Sequence, residues 1–375
     1  MMNMTTNYFD QINTTATPDR SGSVDKYTEL IQSLTTMSIV LYSLVSVLGV
    51  LGNGVVIWVT GFKMKKTVNT VWYLNLAVAD FVFSAFLPLT VAYLALGSHW
   101  PFGKFMCKLN SIIGFLNMFA SVYILVVISV DTCVSVVLPI WAKSHRNVCK
   151  ASWVSLGVWV VATNLSAPYF FFMDTKQMSE DKIICFNSLF KNGTQSHNRF
   201  HLQAMILTRF LLGFAIPFTA IVSCYAVIIH RLRKKRSLGR QSSRPFKIIA
   251  AIIITFFLCW APYQIMGLFK WLIFTADTVN KTLHHVFDIG SSFTAGLTVL
   301  SSCINPLLYV FIRQDFKDEF RKSILSVLET AFREEETHSH TYTKALLLVV
   351  DESTGEKSLG LLLNQEVQRR NPSEK

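Results

Sequence analysis

Seven stretches, each of roughly twenty or more residues and almost without charge, decide what this chain can fold into. Leu34 to Phe62, Leu109 to Val130, Ala151 to Met173 and Ile248 to Phe269 contain no charged side chain. Val68 to Leu96 contains only Asp80, Leu202 to Ile229 only Arg209, and Val286 to Ile312 has Asp288 near its start. A hydrocarbon core about 30 Å thick is crossed by roughly twenty apolar residues in a helix. Nothing in lipid satisfies an open backbone group, so each stretch reads as a helix. The chain is 51% hydrophobic and only 15% charged, too little charge to cover a soluble surface. The expected fold class is an all-α membrane protein, a bundle of seven transmembrane helices over 34–312, with the two termini on opposite sides.

Basic residues set the orientation, because short loops rich in Lys and Arg stay in the cytoplasm. Lys63, Lys65 and Lys66 follow span one, and Lys143, Arg146 and Lys150 follow span three. Span five is followed by Arg231, Arg233, Lys234, Lys235, Arg236, Arg240 and Arg244. All three loops lie on one side. The net charge of +12 is then a topology signal and a match for anionic lipid, and nucleic acid is not an expected partner. Glycan acceptor sequences at Asn3, Asn13, Asn192 and Asn280 all fall on the other side. Asn164 also fits that pattern but lies within span four, beyond a glycosylating enzyme's reach. The expectation is a multi-pass plasma-membrane protein with its N-terminus outside. Residues 1–33 read as a polar, glycosylated arm with no apolar h-region, so span one directs insertion.

The seven cysteines sort by compartment. Cys133, Cys149, Cys224, Cys259 and Cys303 lie in spans or cytoplasmic segments and are expected to stay reduced. Cys107, at the outer start of span three, and Cys185, in the long loop after span four, face the oxidising side. A bridge between them would pin that loop across the bundle.

The chain resembles a rhodopsin-family, G-protein-coupled receptor in a series of ordered motifs. These are Gly52-Asn53 in span one, Leu76-Ala77-Val78-Ala79-Asp80 in span two, Trp100 with Cys107 before span three, and Trp159 in span four. Pro217 in span five, Cys259-Trp260-Ala261-Pro262 in span six and Asn305-Pro306-Leu307-Leu308-Tyr309 in span seven complete the series. The runs Phe62 to Thr70 and Phe256 to Trp260 are similar to the chemoattractant branch, which holds receptors for chemerin, formyl peptides, anaphylatoxins and prostaglandin D2. The resemblance covers about Met37 to Phe332. It implies no cofactor, an extracellular ligand, a heterotrimeric G protein, of Gi type in this branch, and arrestin.

Asp80 lies about twelve residues, roughly 18 Å, into span two, deep in the bilayer. A buried intramembrane carboxylate needs partners and is usually functional. The resemblance implies that Asn53, Asn117, Ser121, Ser301 and Asn305 converge on it and hold a sodium ion; a plain hydrogen-bonded network is the other reading. Pro217, Pro262 and Pro306 each remove a helical hydrogen bond and bend or weaken the helix. The family implies that Trp260 is the lever beneath the ligand and Tyr309 the inner latch.

Arg209 enters the outer third of span five, where it either snorkels, pairs with another side chain, or presents a planar donor to a carboxylate of a peptide or an acidic lipid. With Trp260, Phe115 and Trp100 it forms the expected ligand site. Two departures argue against formyl-peptide recognition. Phe115 stands where formyl-peptide receptors carry an acid, and Phe172-Met173-Asp174-Thr175 replaces their Phe-Arg-Asp-Thr run. A third departure bears on output: the triplet D-R-Y or D-R-C reads Asp131-Thr132-Cys133. The missing Arg implies weaker G-protein coupling, with a decoy receptor that binds and internalises ligand as the alternative.

Beyond span seven, Phe316, Phe320 and Ile324 recur every four positions among Lys317, Arg321 and Lys322. Residues 313–332 therefore read as an amphipathic helix on the inner leaflet, and 333–375 as a disordered tail. Glu334 to Glu336 precede Thr337, Ser339, Thr341 and Thr343, a candidate phosphorylation and arrestin segment. The two halves show no internal repeat of the kind transporters use. Clustered His, Asp or Cys of a membrane hydrolase is also missing from the spans, so the sequence does not read as an enzyme.

Overall fold

The computed structural model describes residues 21–188, 196–236, 244–275 and 281–312. The glycan acceptors Asn3, Asn13, Asn192 and Asn280, the surface helix 313–332 and the tail 333–375 lie outside the described residues. The chain separates into one unit, Met1–Lys317, and a second, Asp318–Lys375, all of which lies outside them.

Among the described residues, seven helices are long and apolar enough to cross a membrane. Span one is Ser21–Trp58, continued by a π-helical turn Val59–Lys63, and span two is Val68–Ala95. Span three is Gly103–Val137, and a short loop helix, Pro139–His145, leads to span four, Val148–Phe172. Span five runs as Ser196–Phe210, a π turn Leu211–Ala215, and Ile216–Arg236. Spans six and seven are Arg244–Thr275 and Lys281–Ile312.

Local chemistry places several of these boundaries. Thr67 and Thr70 form a reciprocal capping box at the start of span two. Asn147 accepts from Lys150 N at 2.8 Å to start span four. Pro139 opens the loop helix, where its missing N–H costs nothing. Span one begins at Ser21, thirteen positions before the charge-free stretch. Apolarity marks where lipid begins, whereas backbone hydrogen bonding continues beyond it.

The ring closes because span one packs against both span two and span seven, and span seven against span six. Span three is the central pillar, touching spans two, four and five, and 67% of its apolar window is buried. Gly49 lets spans one and two approach closely, since a Cβ there would lie 2.2 Å from Ser84 Oγ. Leu44, Leu48, Leu51, Trp153 and Leu156 face outward, while Asn53, Asp80, Asn117, Ser121 and Asn305 are buried. Polar inside and apolar outside is the arrangement lipid requires.

The long loop after span four is an antiparallel hairpin that the sequence reading did not foresee: β1, Met173–Ser179, pairs with β2, Lys182–Asn187. Its alternation is too short and too polar to stand out between two hydrophobic spans.

Candidate functional site

At the outer end, Cys107 and Cys185 are bonded, with their Cα atoms 5.8 Å apart. The bridge ties the middle of β2 to span three. Trp100 N donates to Ile183 O at 2.8 Å, and Ile183 N donates to His99 Nδ1 at 3.1 Å, fastening the hairpin to the loop after span two. Trp100 itself is fully buried against Tyr93, Cys107, Met173 and Cys185, and its indole donates to Gly103 O. Trp100, expected from the sequence in the ligand site, is a buried ring under the hairpin.

Below the hairpin, Arg209 is only 4% exposed, and its Nε has no hydrogen-bond partner. Its guanidinium lies over the Tyr263 ring at 5.0 Å, a cation–π contact. The Tyr263 hydroxyl is also buried and unpartnered. Tyr169 is within electrostatic reach of both, and Phe115 stacks on Tyr169 with ring centroids 3.4 Å apart. The recess that admits this cation exists because position 267 is glycine: a Cβ there would lie 1.9 Å from Arg209 Nη2. Lys270, buried one turn further out on span six, interacts electrostatically with Arg209 and with Asp288 of span seven. Sequence reasoning missed Lys270 because the charge-free stretch of span six ends one residue before it.

Arg209, Tyr263, Tyr169 and Phe115 therefore come together, with Trp260 beneath. Trp260 packs against Phe256 and Tyr263, and its Nε1 donates to Ser301 Oγ at 3.2 Å. A cavity of about 540 Å³ opens separately between spans one, two, three and seven, lined by Tyr42, Phe83, Thr90, Asn110 and Ser291 among others. None of the four expected ligand residues lines it. The chemistry sits on spans three to six and the volume on the opposite side of the bundle.

The second cluster surrounds Asp80. Asn305 donates to Asp80 Oδ2 at 2.8 Å. Asn117, with its amide nitrogen turned to the carboxylate, donates to Asp80 Oδ1 and to Ser121 Oγ, each at 3.2 Å, and its oxygen accepts from Ser302 Oγ at 3.1 Å. Asn53 joins through the Ser302 backbone, donating to Ser302 O at 2.9 Å. Ser302, not Ser301, is within hydrogen-bond reach of Asp80. One residue along a helix is a turn of about 100°, which directs Ser301 to Trp260 and Thr298 O instead. The polar pocket and Trp260 are thus joined by adjacent residues of span seven.

Helix-breaking residues lie where expected, but span five carries an added device. The turn before Pro217 is π-helical: Ile216 N bonds Leu211 O, and the Tyr123 hydroxyl of span three donates to Leu212 O at 3.1 Å. Pro262 and Pro306 lie inside spans six and seven. The latch role of Tyr309 rests on a side chain outside the described residues. At the inner end of span three, Thr132 Oγ1 donates to Ile128 O of its own helix at 2.6 Å. Asp131 is gripped by Arg146, and Cys133 is a free thiol.

The sequence pattern described as "7 transmembrane receptor (rhodopsin family)" matches residues 52–309. The chain is 43% identical over 318 residues to chemerin-like receptor 1 of Sus scrofa, covering 80% of this chain and 83% of the relative. The Homo sapiens chemerin-like receptor 1 is also 43% identical, covering 80% and 81%. N-formyl peptide receptor 2 of Homo sapiens is 37% identical over 307 residues, covering 80% and 87%. The chain belongs to the rhodopsin family of seven-transmembrane receptors. It is a multi-pass, cell-surface G-protein-coupled receptor of the chemoattractant branch and not an enzyme.

Proposed function

We infer that the receptor binds a ligand bearing a carboxylate, a peptide C-terminus or an acidic lipid, and anchors it on Arg209. The observation that carries this reading is the buried guanidinium with an unpartnered Nε, beside the unpartnered Tyr263 hydroxyl. Burying a charge without pairing it costs several kcal/mol, on the order of what a buried ion pair loses when one partner is removed. A ligand carboxylate would supply the missing acceptor, and Lys270 would extend the positive field toward the mouth. Chemerin, named for the relatives at 43% identity, is the first probe. Chemerin fragments with a free C-terminus should bind at least tenfold more tightly than their C-terminal amides, and a long-chain fatty acid should outcompete its methyl ester if the source is lipid. Equal binding of acid and blocked forms in both series would reject the reading.

Inside the cell, the partners are a heterotrimeric G protein, of Gi type, and arrestin. The decoy reading keeps one specific support: Thr132 is turned back on its own helix and offers no cation at the inner mouth. The same bound chemerin probe separates the two, since a decoy internalises ligand without activating G protein, and a coupled receptor does both.

The Asp80 pocket is a candidate sodium site. Its candidate donors are oxygens, the Asp80 carboxylate with the Ser121 and Ser302 hydroxyls, and Asn53 Oδ1 is buried without a partner. A cation bound only in the folded state raises stability by mass action. Replacing sodium chloride with choline chloride should lower the unfolding midpoint of the detergent-solubilised receptor, and Asp80→Asn should abolish the difference. A midpoint indifferent to sodium in the natural receptor would leave the plain hydrogen-bonded network.

A further inference from the structure

Asp131 places a carboxylate near the inner end of span three, and its neighbour Thr132 gives it nothing. The charge is met from elsewhere. Arg146, fifteen residues on and at the C-terminal end of the loop helix, donates Nε to Asp131 Oδ1 at 2.9 Å and to Oδ2 at 3.1 Å, and Nη2 to Oδ2 at 2.7 Å. The same Nη2 bonds Asn69 Oδ1 at the start of span two. Trp72 Nε1, also of span two, donates to Asp131 Oδ2 at 3.3 Å. Another ion pair, Lys104 with Asp174, lies on the extracellular side.

We propose that Arg146 is a clamp that locks the second cytoplasmic loop onto the inner ends of spans two and three, taking over toward Asp131 the counter-charge that the receptor triplet otherwise supplies from within span three. Three features support a positioning role over an incidental surface pair. The guanidinium uses its planar fork on one carboxylate, a geometry Lys cannot reproduce. It joins three chain segments, where an ordinary exposed pair joins two. The loop helix that it closes has little else to hold it: Ala142 is buried, while Leu138, Ile140 and Trp141 are all exposed. An arginine carried inside span three moves with that helix. One carried by the loop instead makes loop and helix a single body until the fork lets go, so the inner face is held closed by the segment a partner must approach.

The inference rests on the receptor reading but is tested apart from it. Full-length receptor would be compared as natural chain, Arg146→Ala, Arg146→Lys, Asp131→Ala and the charge swap Asp131→Arg with Arg146→Asp. Amide hydrogen exchange across Leu138 to Arg146 reports the clamp, and a ligand-free G-protein activation assay in cells reports coupling. Exchange should quicken at least fivefold in both alanine variants, by less in Arg146→Lys, and return toward the natural rate in the swap. Ligand-free output should rise in the same order. Unchanged exchange in Arg146→Ala, or a swap as fast as the single variants, overturns the clamp whatever the output. Faster exchange with silent output supports the clamp and counts against the coupled reading alone.

Discussion

Replacing Arg209 with alanine should cost the receptor roughly 30- to 4,000-fold in affinity for an acidic ligand while leaving the unliganded fold as stable as before or more so. Removing one partner of a desolvated charge pair typically costs about 2–5 kcal/mol, and each 1.4 kcal/mol is tenfold. The sign of the stability change is the diagnostic part. A structural arginine holds neighbours together, and its loss destabilises. Arg209 is 4% exposed with Nε unpartnered and its main compensation a cation–π contact of about 1–2 kcal/mol to Tyr263, so the empty receptor carries it at a cost. Arg209→Lys should fall between, because the cation survives and the fork does not. Gly267→Ala offers an independent check that leaves Arg209 in place. Its methyl would enter the space of Nη2, and the flexible end of the side chain would swing aside. Affinity should fall about tenfold with surface expression unchanged. Saturation binding of chemerin fragments and thermal unfolding of the same preparations read both quantities. Natural affinity in Arg209→Ala would remove the residue from the site, and a lowered midpoint would make it structural.

The bundle was legible because lipid imposes one rule along every span, and a single charge such as Asp80 or Arg209 stands out against it. Partners within the bundle were legible only where a residue type is rare. Asp80, Asn117 and Asn305 share hydrogen bonds, whereas Ser301 and Ser302, identical and adjacent, differ by a helical turn angle that no composition records. Trp100, expected at the ligand, also fills the space under a hairpin that the sequence does not announce. Lys270 was missed for a simpler reason: it lies at the edge of an apolar window, where snorkelling lysines are ordinary. Arg146 was read as one more cytoplasmic charge. Its grip on Asp131 depends on where the loop helix turns, and that follows from Pro139 and the packing of Ala142, not from charge counting.

Breaking the Cys107–Cys185 bridge should have the other large effect, and its pattern across variants is more telling than its size. Cys107→Ser, Cys185→Ser and the double replacement should lose surface binding equally, by more than tenfold, since any one of them removes the same bond. A closure spanning 78 residues is worth about 4–5 kcal/mol in the chain-entropy account, an upper bound here because the membrane keeps spans three and four inserted. The polar ties that remain beside the packing of Met173 on Trp100 are weak, among them two hydrogen bonds at Ile183 and the Lys104–Asp174 pair at 3.0 Å. Those side chains are 58% and 35% exposed, and such pairs contribute about 0–1 kcal/mol. The hydrogen bond from Lys104 holds the Asp174 carboxyl below its usual range. The pair's contribution is therefore fully present above about pH 4 and is lost only as pH falls through the depressed value. Acidification to endosomal pH should leave the hairpin in place, and an extracellular thiol reductant at neutral pH should reproduce the serine variants. If the double variant loses more than either single, each cysteine has a role beyond the bridge. If none loses binding, the hairpin is positioned by its backbone contacts and the bridge is not what shapes the mouth.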